Sequence, residues 1–258
     1  MLKSISIEKM FNQHSFYDRF PLVKKAGFDH LEFCLWSHLD IVRIKELIDE
    51  YSLHIACISG DEEYSITVPE ERSRFLEHLE KSLATAKELR CGNLYIHSNA
   101  IGQNGAMSAK GLDYSNHTRI AAATRALLEG ARLAEKYGIV LQLEPVSTHV
   151  LPNYYMDTTA SAGDVVRVID SPNVRLLYDV YHMQMTEGNI THTLRRYGQI
   201  VGYVHIADVP ARHEPGTGEI NFIHFKSVLD EIGYKGFVGF ELTPSGDMDA
   251  CVQALHDF

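Results

Sequence analysis

Residues 118–144 read TRIAAATRALLEGARLAEKYGIVLQLE, and this stretch holds one complete unit of the fold. Over Thr118–Tyr137 the apolar residues Ala122, Leu127, Leu128, Ala131 and Ala134 recur at helical spacing among Arg, Glu and Lys, which predicts an amphipathic helix. Gly138 follows as a C′ cap. Val140–Glu144 is then a short apolar run ending on a carboxylate, the composition of a strand buried on both faces. The unit repeats in both directions. Glu70–Leu89 sets Phe75, Leu76, Leu79, Leu83 and Ala86 on one helical face, ahead of a strand at Asn93–His97. Further strands are expected at Ile5–Met10, His30–Leu35, His54–Ser59, Val174–Asp179, Gly202–His205 and Phe237–Glu241, with Gly27, Gly92 and Gly233 in the capping role of Gly138. Ser98–Asn116, with several Gly, Asn and Ser, reads as a long surface loop. Strands alternating with helices predict a parallel sheet with crossover connections, and a chain of about 250 residues is the size of a closed (β/α)8 barrel. An open, doubly wound sheet is the alternative, but no GxGxxG follows the first strand. Residues 1–258 are therefore read as one α/β domain, a single (β/α)8 TIM barrel.

Composition narrows the function. The chain has 24 Lys+Arg against 34 Asp+Glu and a formal net charge of −10. That balance disfavours nucleic acid as a partner, since phosphate binding relies on clustered basic side chains. No apolar run approaches the roughly 20 residues of a membrane span, and the first residues show no export signal. Cys34, Cys57, Cys91 and Cys251 are scattered, without CxxC pairing, and read as reduced residues filling the core of a cytoplasmic protein.

In barrels of this class the reacting groups lie at the C-terminal ends of the strands. Four successive apolar strands here finish on an ionisable group: Glu144, Asp179, His205 and Glu241. Closing the barrel brings them round one rim. Three carboxylates and one imidazole form a mainly oxygen site, suited to Mn²⁺ or Mg²⁺ more than to thiolate-bound Zn²⁺. His97, Asn99, Glu32 and Trp36 are weaker candidates for the pocket wall, and ordinary packing accounts for each of them equally well.

The chain resembles the xylose isomerase-like barrels, within them most closely the hydroxypyruvate isomerases and their ketose 3-epimerase relatives. The resemblance is densest from Glu144 to Pro244. It is carried by Tyr178-Asp179-Val180-Tyr181-His182-Met183-Gln184 and by Arg212-His213-Glu214-Pro215-Gly216-Thr217-Gly218-Glu219-Ile220-Asn221. The resemblance implies that Glu144, Asp179, His205 and Glu241 bind a divalent metal, Mn²⁺ or Mg²⁺ with Co²⁺ also compatible. It implies that Glu144 and Glu241 move the proton, and that His182 and Arg212 bind the substrate. The substrate is then a small sugar or hydroxy-keto acid, and a homo-oligomer is compatible. This chain departs from the isomerase pattern in having His205 in place of Gln, Val209 in place of Asn and Ala211 in place of Gly. It departs from the epimerases in lacking a second Glu soon after Glu144-Pro145. Those differences leave the metal set intact and the substrate open between isomerase, 3-epimerase and a lyase or C-glycoside-cleaving reaction. A metal-dependent nuclease on the same barrel needs further histidine ligands and a basic surface, and a sugar-binding barrel without catalysis has no use for two carboxylates aimed at one metal.

Overall fold

A computed structural model describes residues 1–61, 63–101 and 105–258. Strands β1 (Leu2–Ser6), β2 (His30–Glu32), β3 (His54–Asp61), β4 (Asn93–His97), β5 (Val140–Glu144), β6 (Val174–Asp179), β7 (Val201–Ile206) and β8 (Phe237–Phe240) form a closed barrel in sequence order. Every pairing is parallel, and β8 closes onto β1. Helices α1 (Arg19–Lys25), α2 (Ile41–Glu50), α3 (Arg72–Glu88), α4 (Asn116–Tyr137), α5 (Thr159–Ile169), α6 (Val180–Thr186), α7 (Ile190–Tyr197), α8 (Phe222–Glu231) and α9 (Met248–Asp257) lie between and after them.

Local chemistry sets the boundaries. Asp40, Ser115, Asp179, Asn221 and Asp247 each accept a backbone N–H in the first turn of the helix they cap. Such a cap is worth about 1 kcal/mol. Gly27, Gly138 and Gly233 adopt left-handed φ of 80°, 69° and 69° at helix ends. Gly92 does not: after α3 the left-handed residue is Arg90, at φ 58°, so the chain has already turned before the glycine.

Two strands differ from the sequence expectation by three residues or more at one end. The first lies at Leu2–Ser6 rather than Ile5–Met10, because Lys9 and Met10 turn their N–H groups back onto Ser6 O. Lys3, Ser4 and Ser6 leave this stretch little hydrophobic signal, yet its Leu2 pairs with Phe237. The second ends at Glu32, where its register against β3 shifts. In α4 the buried face is Ala123, Ala126, Leu127, Gly130, Ala131 and Ala134, with Leu128 exposed. Leu127 and Leu128 stand side by side in sequence, and a helix turns only one of them to the barrel. The segment after β4 is not a surface loop throughout, for Ser98, Asn99 and Ala100 are buried. Residues 102–104 of it lie outside the described residues. Cys34, Cys57, Cys91 and Cys251 form no disulfide among the described residues, and all but Cys34 are buried. Among the described residues no helix is long and apolar enough to cross a membrane.

Candidate active site

Side chains two residues apart on a strand share a face, and this parity builds the site upward from the barrel interior. Cys57, Tyr95, Leu177 and Tyr203 pack together inside the barrel. Two residues beyond the last three come His97, Asp179 and His205. Glu144 follows the buried Gln142 in the same way, and Glu241 follows Gly239 just past β8. Register then fixes neighbours: His97 is the Cα partner of Glu144, and Asp179 that of His205.

Glu144, Asp179, His205 and Glu241 each offer one ligand atom, all within 4.8 Å of one another. His205 Nδ1 stands 3.8 Å from Glu144 Oε1, 3.9 Å from Asp179 Oδ2 and 3.3 Å from Glu241 Oε2. Two of the four have their second oxygen engaged. Asp179 Oδ1 accepts the His182 backbone N–H at 3.0 Å, capping α6. Glu144 Oε2 pairs with His97 Nε2 at 3.1 Å. The Tyr154 hydroxyl donates to Glu144 O at 2.9 Å and accepts Ser98 N–H at 2.8 Å, tying the ends of β4 and β5 together.

Positive side chains lie among the carboxylates of the cluster. Burial by itself lowers His205, but Glu32 and the carboxylates of Glu144 and Glu241 outweigh it and hold the imidazole well above its ordinary value. Burial by itself raises Glu144, but His205 and His97 hold it well below the usual carboxylate range. Glu241, also raised by burial, is brought down to about 2 by Arg212 and His205. Like charges this close repel unless positive charge lies among them. Three carboxylate oxygens and an imidazole nitrogen, buried and convergent, are a donor set that can hold a hard or borderline divalent ion.

Arg212 enters from the loop after β7. Its Nη2 lies 2.5 Å from Glu241 Oε2 and 3.2 Å from Asp179 Oδ2, and its guanidinium stacks 5.1 Å from the Tyr181 ring centroid. Asp208 and Glu214, acids close to Arg212 in sequence, are used elsewhere. Asp208 accepts the N–H groups of Val209, Gly216, Gly218 and Ile220, folding the loop around its carboxylate. A Cβ on Gly218 would stand 1.9 Å from Val209 O, so only glycine fits there. Glu214 accepts the N–H and hydroxyl of Ser245, at 3.0 and 2.5 Å. Arg212 itself sits at φ 59°, a left-handed conformation that costs roughly 1–2 kcal/mol for a non-glycine residue. Arg212 N–H to Asp208 O and Thr243 N–H to Arg212 O, each 3.0 Å, hold it there.

A pocket of about 370 Å³ opens over the cluster, lined among others by Lys9, Leu35, His182, Arg212, Glu144 and Glu241. His182 is buried, and that burial lowers its pKa and keeps the ring neutral. A larger groove of about 650 Å³ beside α8 and α9 holds none of the clustered ligands. Of the weaker candidates, His97 lines the pocket and touches Glu144. Asn99 instead accepts Tyr155 N–H at 2.9 Å, and Trp36 donates to Ser82 at 3.2 Å on the outer side of β3, so both serve packing. Glu32 lies below the pocket, inside the barrel.

Residues 20–255 match the sequence pattern of the xylose isomerase-like TIM barrel family. The chain belongs to this family. It is 31% identical over 250 residues to the 2-oxo-tetronate isomerase of Haemophilus influenzae, covering 94% of this chain and 93% of that protein. It is 28% identical to the hydroxypyruvate isomerase of Escherichia coli, covering 96% and 95% respectively. An AP endonuclease of family 2 from Brucella melitensis superposes with a TM-score of 0.91 at 25% identity, covering 100% of this chain and 98% of that one. An L-ribulose 3-epimerase superposes with a TM-score of 0.82 at 23% identity, covering 100% and 93%, a likeness of fold. As a family member the chain carries the resemblance read from Tyr178–Gln184 and Arg212–Asn221.

Proposed function

We propose that this enzyme, of the sugar isomerase and epimerase class, is a metal-dependent isomerase of hydroxypyruvate or a similar small hydroxy-carbonyl sugar or sugar acid. The observation that carries the reading is the convergence of Glu144, Asp179, His205 and Glu241 beneath a pocket that also presents Arg212 and His182. Mn²⁺ or Mg²⁺, with Co²⁺ as a substitute, fits the oxygen-rich donor set, and when bound it draws charge from the substrate's oxygens. Glu144, from β5, and Glu241, after β8, approach the pocket from different sides of the barrel. Held ionised by His205, His97 and Arg212, one carboxylate takes the proton from the carbon beside the carbonyl. The resulting enediolate receives that proton on the neighbouring carbon, while the hydroxyl proton passes from the oxygen that becomes the carbonyl to the one that becomes the hydroxyl. Arg212 donates to its oxygens as negative charge develops, and neutral His182 supplies one further N–H. Leu35, Val146 and Leu151 wall the pocket with apolar surface that keeps water from the reacting carbon.

The presence of two carboxylates at one site also favours a second reading, ketose 3-epimerisation, in which each glutamate serves one face of the same carbon. Lyase or C-glycoside cleavage would begin with the same proton abstraction. A nuclease reading fits less well: the net charge is −10, and among the described residues one ligand cluster converges. Cytoplasmic location follows as part of the proposal, from the reduced thiols. The deciding experiment is a panel of short hydroxy-ketones, hydroxy-keto acids and ketoses, incubated with metal-loaded protein in D₂O. Deuterium should appear on the carbon beside the carbonyl of the accepted substrate. No exchange with any member would remove proton transfer from the reading.

A further inference from the structure

Glu32, at the end of β2, is 1% exposed and lies inside the barrel under His205. Its Oε2 accepts the Ser4 hydroxyl at 2.6 Å and also the Tyr203 hydroxyl, while Oε1 stands 3.2 Å from His205 Nε2. Space for this carboxylate comes from across the barrel seam. A Cβ on Gly239 would lie 2.5 and 2.6 Å from its two oxygens, and Gly239 is the Cα partner of both Ser4 and His205. Tyr95 and Tyr203 set their rings against the imidazole, each 5.4 Å between centroids at 60° and 85°, which leaves the ring little freedom to flip.

A neutral imidazole carries one ring proton, and the nitrogen that keeps it cannot bind a metal. The hydroxyls of Ser4 and Tyr203 occupy Oε2, and an ionised carboxylate can only accept. Oε1 therefore calls for a proton on Nε2. The opposite nitrogen, Nδ1, is the one that faces Glu144, Asp179 and Glu241.

We infer that Glu32 is the positioning residue of the metal centre: it accepts the Nε2 proton of His205 and so commits Nδ1 to the cation. The inference rests on the metal-dependent reading above and adds to it a residue that touches neither substrate nor ion. Outer partners of this kind typically alter metal affinity about 10- to 100-fold.

The test is Mn²⁺ affinity by titration calorimetry, with 15N NMR of histidine-labelled, Mg²⁺-loaded protein. In Glu32→Gln the amide oxygen can take the Ser4 and Tyr203 hydrogens, which turns the amide NH₂ toward Nε2 and favours the Nδ1–H tautomer. Mn²⁺ affinity should fall about 10- to 100-fold with the circular dichroism of the metal-free protein unchanged. Tyr203→Phe keeps the carboxylate and should lose much less. In the wild type, the His205 ring proton should reside on Nε2. Unchanged affinity in Glu32→Gln, an equal loss in Tyr203→Phe, or a wild-type proton on Nδ1 each overturns the inference while leaving the metal reading in place. If Glu32→Gln does not fold, the wild-type spectrum decides. Wild-type protein that binds neither Mn²⁺ nor Mg²⁺ overturns the metal reading, and this inference with it.

Discussion

Arg212 Nη2 lies 2.5 Å from Glu241 Oε2 and 3.2 Å from Asp179 Oδ2, so a loop residue places its charge on the oxygens that also face His205. Two consequences follow from this one contact. Protons compete poorly for Glu241, and Arg212, the proposed substrate-binding residue, is held in place by the carboxylates of the candidate metal site.

Arg212→Ala should therefore change the pH profile as well as the rate. Glu241 is held at about 2 against an ordinary glutamate value of about 4.3. A depressed value keeps the base ionised to lower pH, so losing Arg212 should move the acid limb of kcat/KM upward. At neutral pH turnover should fall on the order of 10²-fold, the usual effect of removing one donor to a developing oxyanion. Calorimetry should show Mn²⁺ still bound, and His182→Ala should likewise keep its metal. Metal loss in either variant, or unchanged kinetics, would reassign that residue.

The two glutamates can be separated by Glu144→Gln and Glu241→Gln at saturating metal. An amide keeps the shape but cannot take a proton, and loss of one positioned base costs about 10²–10⁴-fold. Deuterium exchange should collapse in at least one variant. Residual exchange in only one supports a glutamate for each face, as epimerisation requires. Near wild-type exchange in both would leave them as ligands and end the proposed mechanism.

Chelation should abolish activity, with Mn²⁺, Mg²⁺ or Co²⁺ restoring it. Binding to the folded state alone also stabilises the fold, by about 2.7 kcal/mol at a hundredfold excess over Kd. For a chain of this size that is a rise in Tm of roughly 5–10 °C. Scanning calorimetry with and without Mn²⁺ measures it, and identical melting curves would argue against a bound ion.

Ser245→Ala tests the contact between the loops that follow β7 and β8. Burial by itself raises Glu214, but the Ser245 hydroxyl and nearby N–H groups outweigh it and hold its carboxyl low. A depressed carboxylate contributes stability above its unfolded value, about 4.3, and loses it as pH falls through the folded one. The variant should be less stable by about 1 kcal/mol at pH 7, at the low end for a charged acceptor near solvent. The difference should shrink below pH 4, as read from urea unfolding at both pH values. A difference that persists in acid would place the effect in packing.

What the sequence determined by itself is the alternation of strand and helix and the four ionisable groups at strand ends that the barrel brings together. Both are local patterns: apolar runs, helical spacing and a polar residue at a fixed place in each unit, Glu144, Asp179, His205 and Glu241. Parallel closure then needs no further instruction to bring those ends together. The tertiary structure decided the rest, because it depends on which side chains meet across strands far apart in the chain. Glu32 looks like any polar residue after an apolar pair until Ser4, Tyr203, His205 and the gap at Gly239 are set around it. Trp36 and Asn99, credible pocket residues by position, are drawn into packing by Ser82 and Tyr155. Arg212 could pair with Asp208 or Glu214 by proximity in sequence. The loop turns both acids to other donors and swings the guanidinium, through a left-handed backbone, onto Asp179 and Glu241.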